Sequence, residues 1–500
     1  MSSPSSPFAP VRSKVPTIVL ALLLGAALVK IRSSEPTVHA TAASSVAPMR
    51  AAAASAASTT SSSSYADLVS RVAPSVVTIR SERTVRATRQ DLPLPDDSFL
   101  RRFFGEGLPD GPARPRHEGA LGSGVIVSPD GYVLTNHHVV DGAQHIEVEL
   151  SDRRTFRATR VGSDAASDLA VLKIDGADMH PLPLGDSRSV RVGDVVLAFG
   201  NPLGIGPTVT SGIISAKGRA TGIGDGSFED FLQTDAPINQ GNSGGALVNM
   251  NGELIGINSQ IVSPSGGNIG IGFAIPSAMA DDVMQQLIRG GTVHRGQLGV
   301  TVQTMTSDLA RSLGLNEVRG ALVSAVSGDS PAERAGVKRG DVILALNGAP
   351  VSDSNSLRNA VAGTRPGETV KLTVRRRGAE QTIAVRLGEL TRTASAADDR
   401  ASGDAERGPL GLRVRPVTRE DVAELGLGAR HGLLVAGVSD DGPAAAAGFR
   451  AGDVIQEVDG QPVPDADTFR AAVKAAGERP ALVLVSRGGE ALYLPLTARG

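Results

Sequence analysis

The chain has no cysteine and no tryptophan in its 500 residues, and aromatic residues make up only 3% of it. Without cysteine, a Cys nucleophile, a thiolate metal site and disulfides are all excluded. With so few aromatics, the core has to be built from Val, Ile, Leu and Ala. A charge excess of either sign is also missing. The net charge is -2, which removes any electrostatic case for nucleic acid or an acidic partner. Glycine and proline, by contrast, are abundant at 59 and 30 residues, as turn-rich β structure joined by linkers requires. Hydrophobic content is an ordinary 41%. At roughly 150 residues per domain, the length suggests about three domains.

An apolar run from Val15 to Val29 follows Arg12 and Lys14. A basic start before such a run reads as a secretory segment, and the run is shorter than the ~20 residues that span a bilayer comfortably. Lys30 and Arg32 follow it at once, which is awkward for a cleaved signal, while Val38-His39-Ala40 and Ala40-Thr41-Ala42 are passable small-residue cleavage sites. Residues 1–39 therefore read as a signal peptide or as an uncleaved signal anchor. Both readings export the rest of the chain. Residues 40–64 are almost all Ala, Ser and Thr and read as a flexible tether.

From Tyr65 to about Pro276 the sequence is strand-like. Ser75–Arg80, Gly124–Ser128, Ile146–Leu150 and Val195–Phe199 are short and rich in β-branched residues. Turn signals such as Pro129-Asp130-Gly131 and Asn251-Gly252 separate them. Many short strands suggest a sandwich or a pair of barrels. Gln90–His117 interrupts them as a long loop with Phe99, Phe103 and Phe104. Ala278–Ile288 has helical spacing. Beyond it, Gly299, Pro331, Gly340-Asp341-Val342-Ile343 and Gly348 recur as Gly411, Pro443, Gly452-Asp453-Val454-Ile455 and Gly460, always 112 residues on. A constant offset means two copies of one small domain. Residues 390–407 between them read as a linker.

Three short runs carry chemistry. Ser243 lies in Gly241-Asn242-Ser243-Gly244-Gly245. A serine hydroxyl needs a base beside it and backbone N–H groups aimed at the oxyanion formed on attack. Thr135-Asn136-His137-His138 offers a His at the end of a strand, suited to that base. Ser167-Asp168-Leu169 offers a carboxylate at the mouth of an apolar strand, suited to orient the imidazole. Each run alone is commonplace. Together, the chain order His138, Asp168, Ser243 is that of the chymotrypsin-type triad and not that of subtilisins or α/β-hydrolases.

The segments TNHHVV, SDLAVLKI, FGNPLG, TDAPINQGNSGGAL and IGFAIP resemble the HtrA (Do-like) family of periplasmic serine endoproteases. The layout of export segment, protease domain and two repeats is similar too. The resemblance covers about residues 65–500. It implies a mainly β fold: a trypsin-like double β-barrel over 65–280, then α+β PDZ domains over 294–389 and 408–499. The family pattern has Asn at the position of His137 and the catalytic His next, which implies His138 as base. Gly241, Asn242 and Ser243 are then the candidate oxyanion donors. The resemblance also implies a small aliphatic S1 pocket with Ile238 on its wall, and Ile271-Gly272-Phe273-Ala274 beside the substrate as an extra strand. Activation loops would fall near Gly218–Phe231, with Arg219 as a sensor, near Gln260–Gly270 and on 90–117.

A PDZ domain adds a chain end as a strand and holds its carboxylate with backbone N–H groups. The matching loops are Gln297-Leu298-Gly299-Val300 and Pro409-Leu410-Gly411-Leu412, the second lacking one donor at Pro409. No metal-ligand cluster or phosphate loop is visible, and the chemistry calls for no cofactor. The expected function is exported, ATP-independent proteolysis of unfolded or misfolded proteins by a homo-oligomer, a trimer or its multiples, with anchoring through residues 15–29 as one option. A chaperone or scaffold with secondary proteolysis, or a protease cutting one signalling substrate, are the competing readings.

Overall fold

The computed structural model describes residues 64–85, 116–201, 207–221, 227–239, 241–261, 268–390, 410–418, 421, 432–439 and 441–497. The export segment, nearly all of the tether and of the 390–407 linker, the three phenylalanines of the long loop, and Pro409 lie outside the described residues. Among the described residues, no helix is long and apolar enough to cross a membrane.

The β-branched runs become two antiparallel sheets. The first comprises β1 (Val76–Val85), β2 (Arg116–Ile126), β3 (Tyr132–Thr135), β4 (His145–Glu149), β5 (Thr155–Arg157), β6 (Thr159–Asp164) and β7 (Leu169–Lys173). Its order is β5-β4-β1-β2-β3-β7-β6. The second comprises β8 (Val195–Gly200), β9 (Thr208–Arg219), β10 (Phe231–Thr234), β11 (Ala246–Asn249), β12 (Leu254–Ile261) and β13 (Gly272–Pro276). It closes into a barrel in the order β10-β13-β12-β11-β8-β9.

The continuous apolar runs have a physical reason, because successive side chains of a strand point to opposite faces and here both faces are buried. Val77, Ile79, Ala170 and Leu172 share the interior cluster of the first sheet. Val196, Ala198, Leu247 and Ala274 share the interior of the barrel. Their sequence neighbours Val76, Leu169, Val171, Leu197 and Val248 meet in a third cluster that joins the two sheets. Each fully buried aliphatic side chain contributes about 1.5–3 kcal/mol, so the joint is held as firmly as either interior.

The helix α1 (Ala66–Val72) places Leu68 and Val72 in that joint. The short α2 is His137–Val140. The expected helix is α3 (Ser277–Gly290). It buries Ala280, Val283, Met284 and Leu287 in the same joint and ends on Gly291, whose N–H closes the last turn on the Leu287 carbonyl.

The two repeats share one topology. The first runs Val300–Thr304, Ala321–Val326, Val342–Leu346, Thr369–Arg376, Ala379–Arg386, each strand pairing with the next in that order. The second repeats this order with Leu412–Pro416, Leu433–Val438, Val454–Val458, Ala481–Arg487 and Glu490–Leu496. The recurring Gly-Asp has a structural explanation. Asp341 is sealed and takes a two-pronged bond from Arg376 at 2.6 and 2.7 Å, while Asp453 takes the same from Arg487 at 2.7 and 2.8 Å. In both, the arginine also donates to a turn carbonyl, Gly336 or Gly448.

Candidate active site

β3 runs into α2, and Val139 and Val140 pin that helix in the core of the first sheet. His138 is thereby carried to the edge of the sheet. Asp168 precedes β7 with φ +53°, a left-handed conformation that Asp tolerates better than most residues. Its backbone carbonyl accepts bonds from the Asn136 amide at 2.9 Å and the His137 N–H at 3.1 Å. His137 thus serves through its main chain, while its buried Nδ1 meets no partner among the described residues.

The Asp168 carboxylate faces His138 squarely. His138 Nδ1 is 2.9 Å from both carboxylate oxygens, and the His138 backbone N–H donates to Oδ1 at 3.0 Å. A carboxylate at Nδ1 fixes the proton there and leaves Nε2 as the basic nitrogen. Burial opposes charging the His138 ring, but the charge of Asp168 and its hydrogen bond outweigh this and raise the pKa above 6.5. Burial likewise opposes ionising Asp168, but His138 and the Ser259 hydroxyl hold its pKa below the ordinary carboxylate value.

Ser243 comes from the other sheet, just before β11. Its hydroxyl donates to the Ser259 carbonyl at 3.0 Å, while the Ser259 hydroxyl donates to Asp168 Oδ2 at 3.1 Å. Ser259 therefore touches two of the three candidate residues. The glycines after Ser243 answer to close backbone approach: a Cβ on Gly244 would lie 2.1 Å from the Ser123 carbonyl oxygen, and one on Gly245 2.1 Å from that of Phe199. Such contacts are impossible for any side chain.

Two expectations need correction. The Asn242 N–H donates to the Asn239 carbonyl at 3.0 Å, so it is spoken for and cannot serve an oxyanion. The N–H groups of Gly241 and Ser243 meet no acceptor among the described residues. The expected substrate strand is also misplaced. Gly272, Phe273 and Ala274 pair with β10 on one side and β12 on the other, so β13 has no edge to offer, and Ile271 precedes it in the same barrel wall. β12 pairs with β11 only as far as Ile257. Just beyond, the Ser259 carbonyl meets the Ser243 hydroxyl.

The remaining expected residues fall as follows. Ile238 is buried in the barrel core, and a Cβ on Gly272 would lie 2.9 Å from its Cδ1, so these two form one wall. Arg219 ends β9 and donates to the Gln233 side chain at 3.2 Å. In the first repeat, Gln297 pairs with Gly388, Leu298 is buried, and Gly299 has φ +76°. The carbonyls of Leu298 and Gly299 are held by Ala332 and Ser327. Val300 opens a strand that pairs on one side only, beside the helix Ser354–Ala362. Ser259 and Ser123 escaped the sequence reading because a lone serine in a strand carries no signal.

A His–Asp couple on one sheet, beside a closed β-barrel whose Gly-rich loop carries a serine, is the arrangement of a trypsin-like serine endopeptidase. Family models agree: residues 122–257 match a trypsin-like peptidase domain, and 296–387 and 434–487 each match a PDZ domain. The chain is 40% identical over 475 residues to a probable periplasmic serine endoprotease DegP-like of Rhizobium meliloti (strain 1021), covering 87% of this chain and 92% of that one. It is 43% identical over 435 residues to the periplasmic pH-dependent serine endoprotease DegQ of Escherichia coli (strain K12), covering 86% and 90%. Among solved structures it is similar to the HtrA-type protease AlgW with decapeptide, at 48% identity and TM-score 0.52 over 66% of this chain and 100% of that one. The chain belongs to the HtrA family of serine endoproteases.

Proposed function

We propose that this endopeptidase works outside the cytoplasm, in the periplasm, and degrades unfolded or misfolded proteins through the triad His138, Asp168 and Ser243. The observation that carries the reading is the His138–Asp168 couple, with Ser259 bridging from Asp168 to Ser243. In the reaction, Ser243 turns from the Ser259 carbonyl toward His138 Nε2, which takes its proton as the hydroxyl attacks a peptide carbonyl. Asp168 holds the tautomer and stabilises the imidazolium. The Gly241 and Ser243 N–H groups receive the oxyanion. His138 then protonates the leaving amine, and water releases the acyl-enzyme. A substrate strand pairs with the open edge at 259–261, and the wall of Ile238 and Gly272 favours a small aliphatic side chain at the cut.

The PDZ domains bind polypeptide ends, the first through Gln297–Val300, and Arg219 helps relay their occupancy to the protease. Names of the relatives support the compartment, and the solved relative with a decapeptide supports peptide ligands. The assembly is a homo-oligomer, a trimer or its multiples, exported and either released or anchored through residues 15–29. The test is hydrolysis of an unfolded model protein by the full chain and by Ser243→Ala. The parent cleaves, and the variant loses all but a trace of activity. Equal cleavage by both rules out Ser243 as nucleophile. Suppressed aggregation without cleavage in either favours a chaperone.

A further inference from the structure

We propose that Ser123 is a positioning residue for catalysis: its hydroxyl clamps the Gly241 carbonyl and so sets the loop that Gly241 and Ser243 present to the oxyanion. The inference rests on the proposed roles of those two residues. Ser123 lies in β2, in the sheet opposite the nucleophile, and is fully buried. Its hydroxyl donates to the Gly241 carbonyl at 2.6 Å, and its backbone N–H donates to the Ser243 carbonyl at 2.8 Å. One residue thus captures the carbonyls on both sides of Asn242.

The clamp has a reason. Gly241 sits at φ +94°, and glycine moves between positive and negative φ at little cost. Nothing in its own covalent structure holds the loop in one form, so an outside bond has to. The Ser123 hydroxyl is itself locked. It has a single proton to give, which goes to Gly241, and its oxygen accepts the Asn201 N–H at 2.8 Å. The Ser123 carbonyl is held in turn by the Thr135 hydroxyl at 2.7 Å, on the strand that leads into His138. Alanine would nearly fill the same space. It would take away the donor of the Gly241 carbonyl and the acceptor of the Asn201 N–H.

The test compares the full chain with Ser123→Ala and Ser123→Cys. It measures kcat and KM on a short peptide, and affinity for a peptide aldehyde, whose adduct with Ser243 carries the oxyanion, against affinity for the unreactive product peptide. Losing an oxyanion donor outright costs about 10²–10³ in kcat; loosening two through their loop should cost about 10–100 in Ser123→Ala. KM and product affinity should stay within about twofold, while aldehyde affinity falls with kcat. Ser123→Cys keeps the volume with a weak donor and should fall between. Turnover and aldehyde affinity within twofold of the parent overturn the proposal. So does a parallel loss of kcat, product affinity and unfolding midpoint in both variants, which marks a merely structural serine. If Ser123→Ala does not fold, the Cys variant alone decides, and parental turnover in it overturns the clamp. Cleavage by Ser243→Ala would sink the underlying triad instead, whereas an inactive Ser243→Ala beside a fully active Ser123→Ala sinks only the clamp.

Discussion

The His138–Asp168 couple and the two PDZ domains each set an aspartate against a nitrogen side chain, and the partner decides what each pair can do. Asp341 and Asp453 are sealed, at 1% and 0% exposure, and each meets an arginine fork. Arginine does not lose its proton in proteins, so these pairs are permanent ties between a turn and a strand. Asp168 and His138 are 29% and 33% exposed. Their geometry is as tight, but an imidazole, unlike a guanidinium, can gain and lose its proton, and both side chains are partly open to solvent. The same carboxylate is a fastening in one region and, in the proposed mechanism, part of a reaction in the other.

The sharpest way to break this comparison is to neutralise both kinds of aspartate. Asp168→Asn should lower kcat on a short peptide by about 10⁴, because an amide leaves His138 in the wrong tautomer. Its unfolding midpoint should move little, since Asn also tolerates the left-handed backbone at this position. A large drop in that midpoint would place Asp168 with the structural pairs. Asp453→Asn should do the reverse. It removes the carboxylate charge that takes the Arg487 fork and should destabilise the second PDZ domain by about 3 kcal/mol. Urea unfolding of the full chain would read this as an earlier transition, with peptide hydrolysis in dilute buffer within about twofold of the parent. Unchanged unfolding would mean the repeated Gly-Asp is kept for some reason other than this tie.

The two regions were also unequally legible. His138, Asp168 and Ser243 stand out in the sequence because each sits in a motif and their order matches one triad type. The repeats could be read because Gly340-Asp341 and Gly452-Asp453 return at a fixed offset. Their partners Arg376 and Arg487 could not, since the pairing depends on how the strand Thr369–Arg376 and its counterpart lie against the turn. Ser259 and Ser123 were invisible for the same reason: a serine gains meaning from what crosses over it. The expected substrate strand Ile271–Ala274 fails because sequence shows that a segment is a strand but not which of its edges is already paired. Asn242 was misread as a donor because the carbonyl that claims its N–H, that of Asn239, is set by the local turn.

The smallest expected effect separates the regions by pH. The His138 pKa is raised above 6.5 in the folded protein, and in the proposed mechanism the ring must be neutral to accept the Ser243 proton. The acid limb of kcat/KM should therefore lie above pH 6.5 and move down in Asp168→Asn, where the raising charge is gone. Stability runs the opposite way. A group whose pKa is raised on folding stabilises fully below its unfolded pKa and loses that contribution as pH climbs through the folded value. The His138–Asp168 couple should thus be most stabilising where the enzyme is least active. The check is a pair of measurements from pH 5 to 9: kcat/KM, and the unfolding midpoint of the parent against His138→Ala. A difference in midpoint that shrinks as kcat/KM rises supports the comparison, and a difference that grows with pH breaks it.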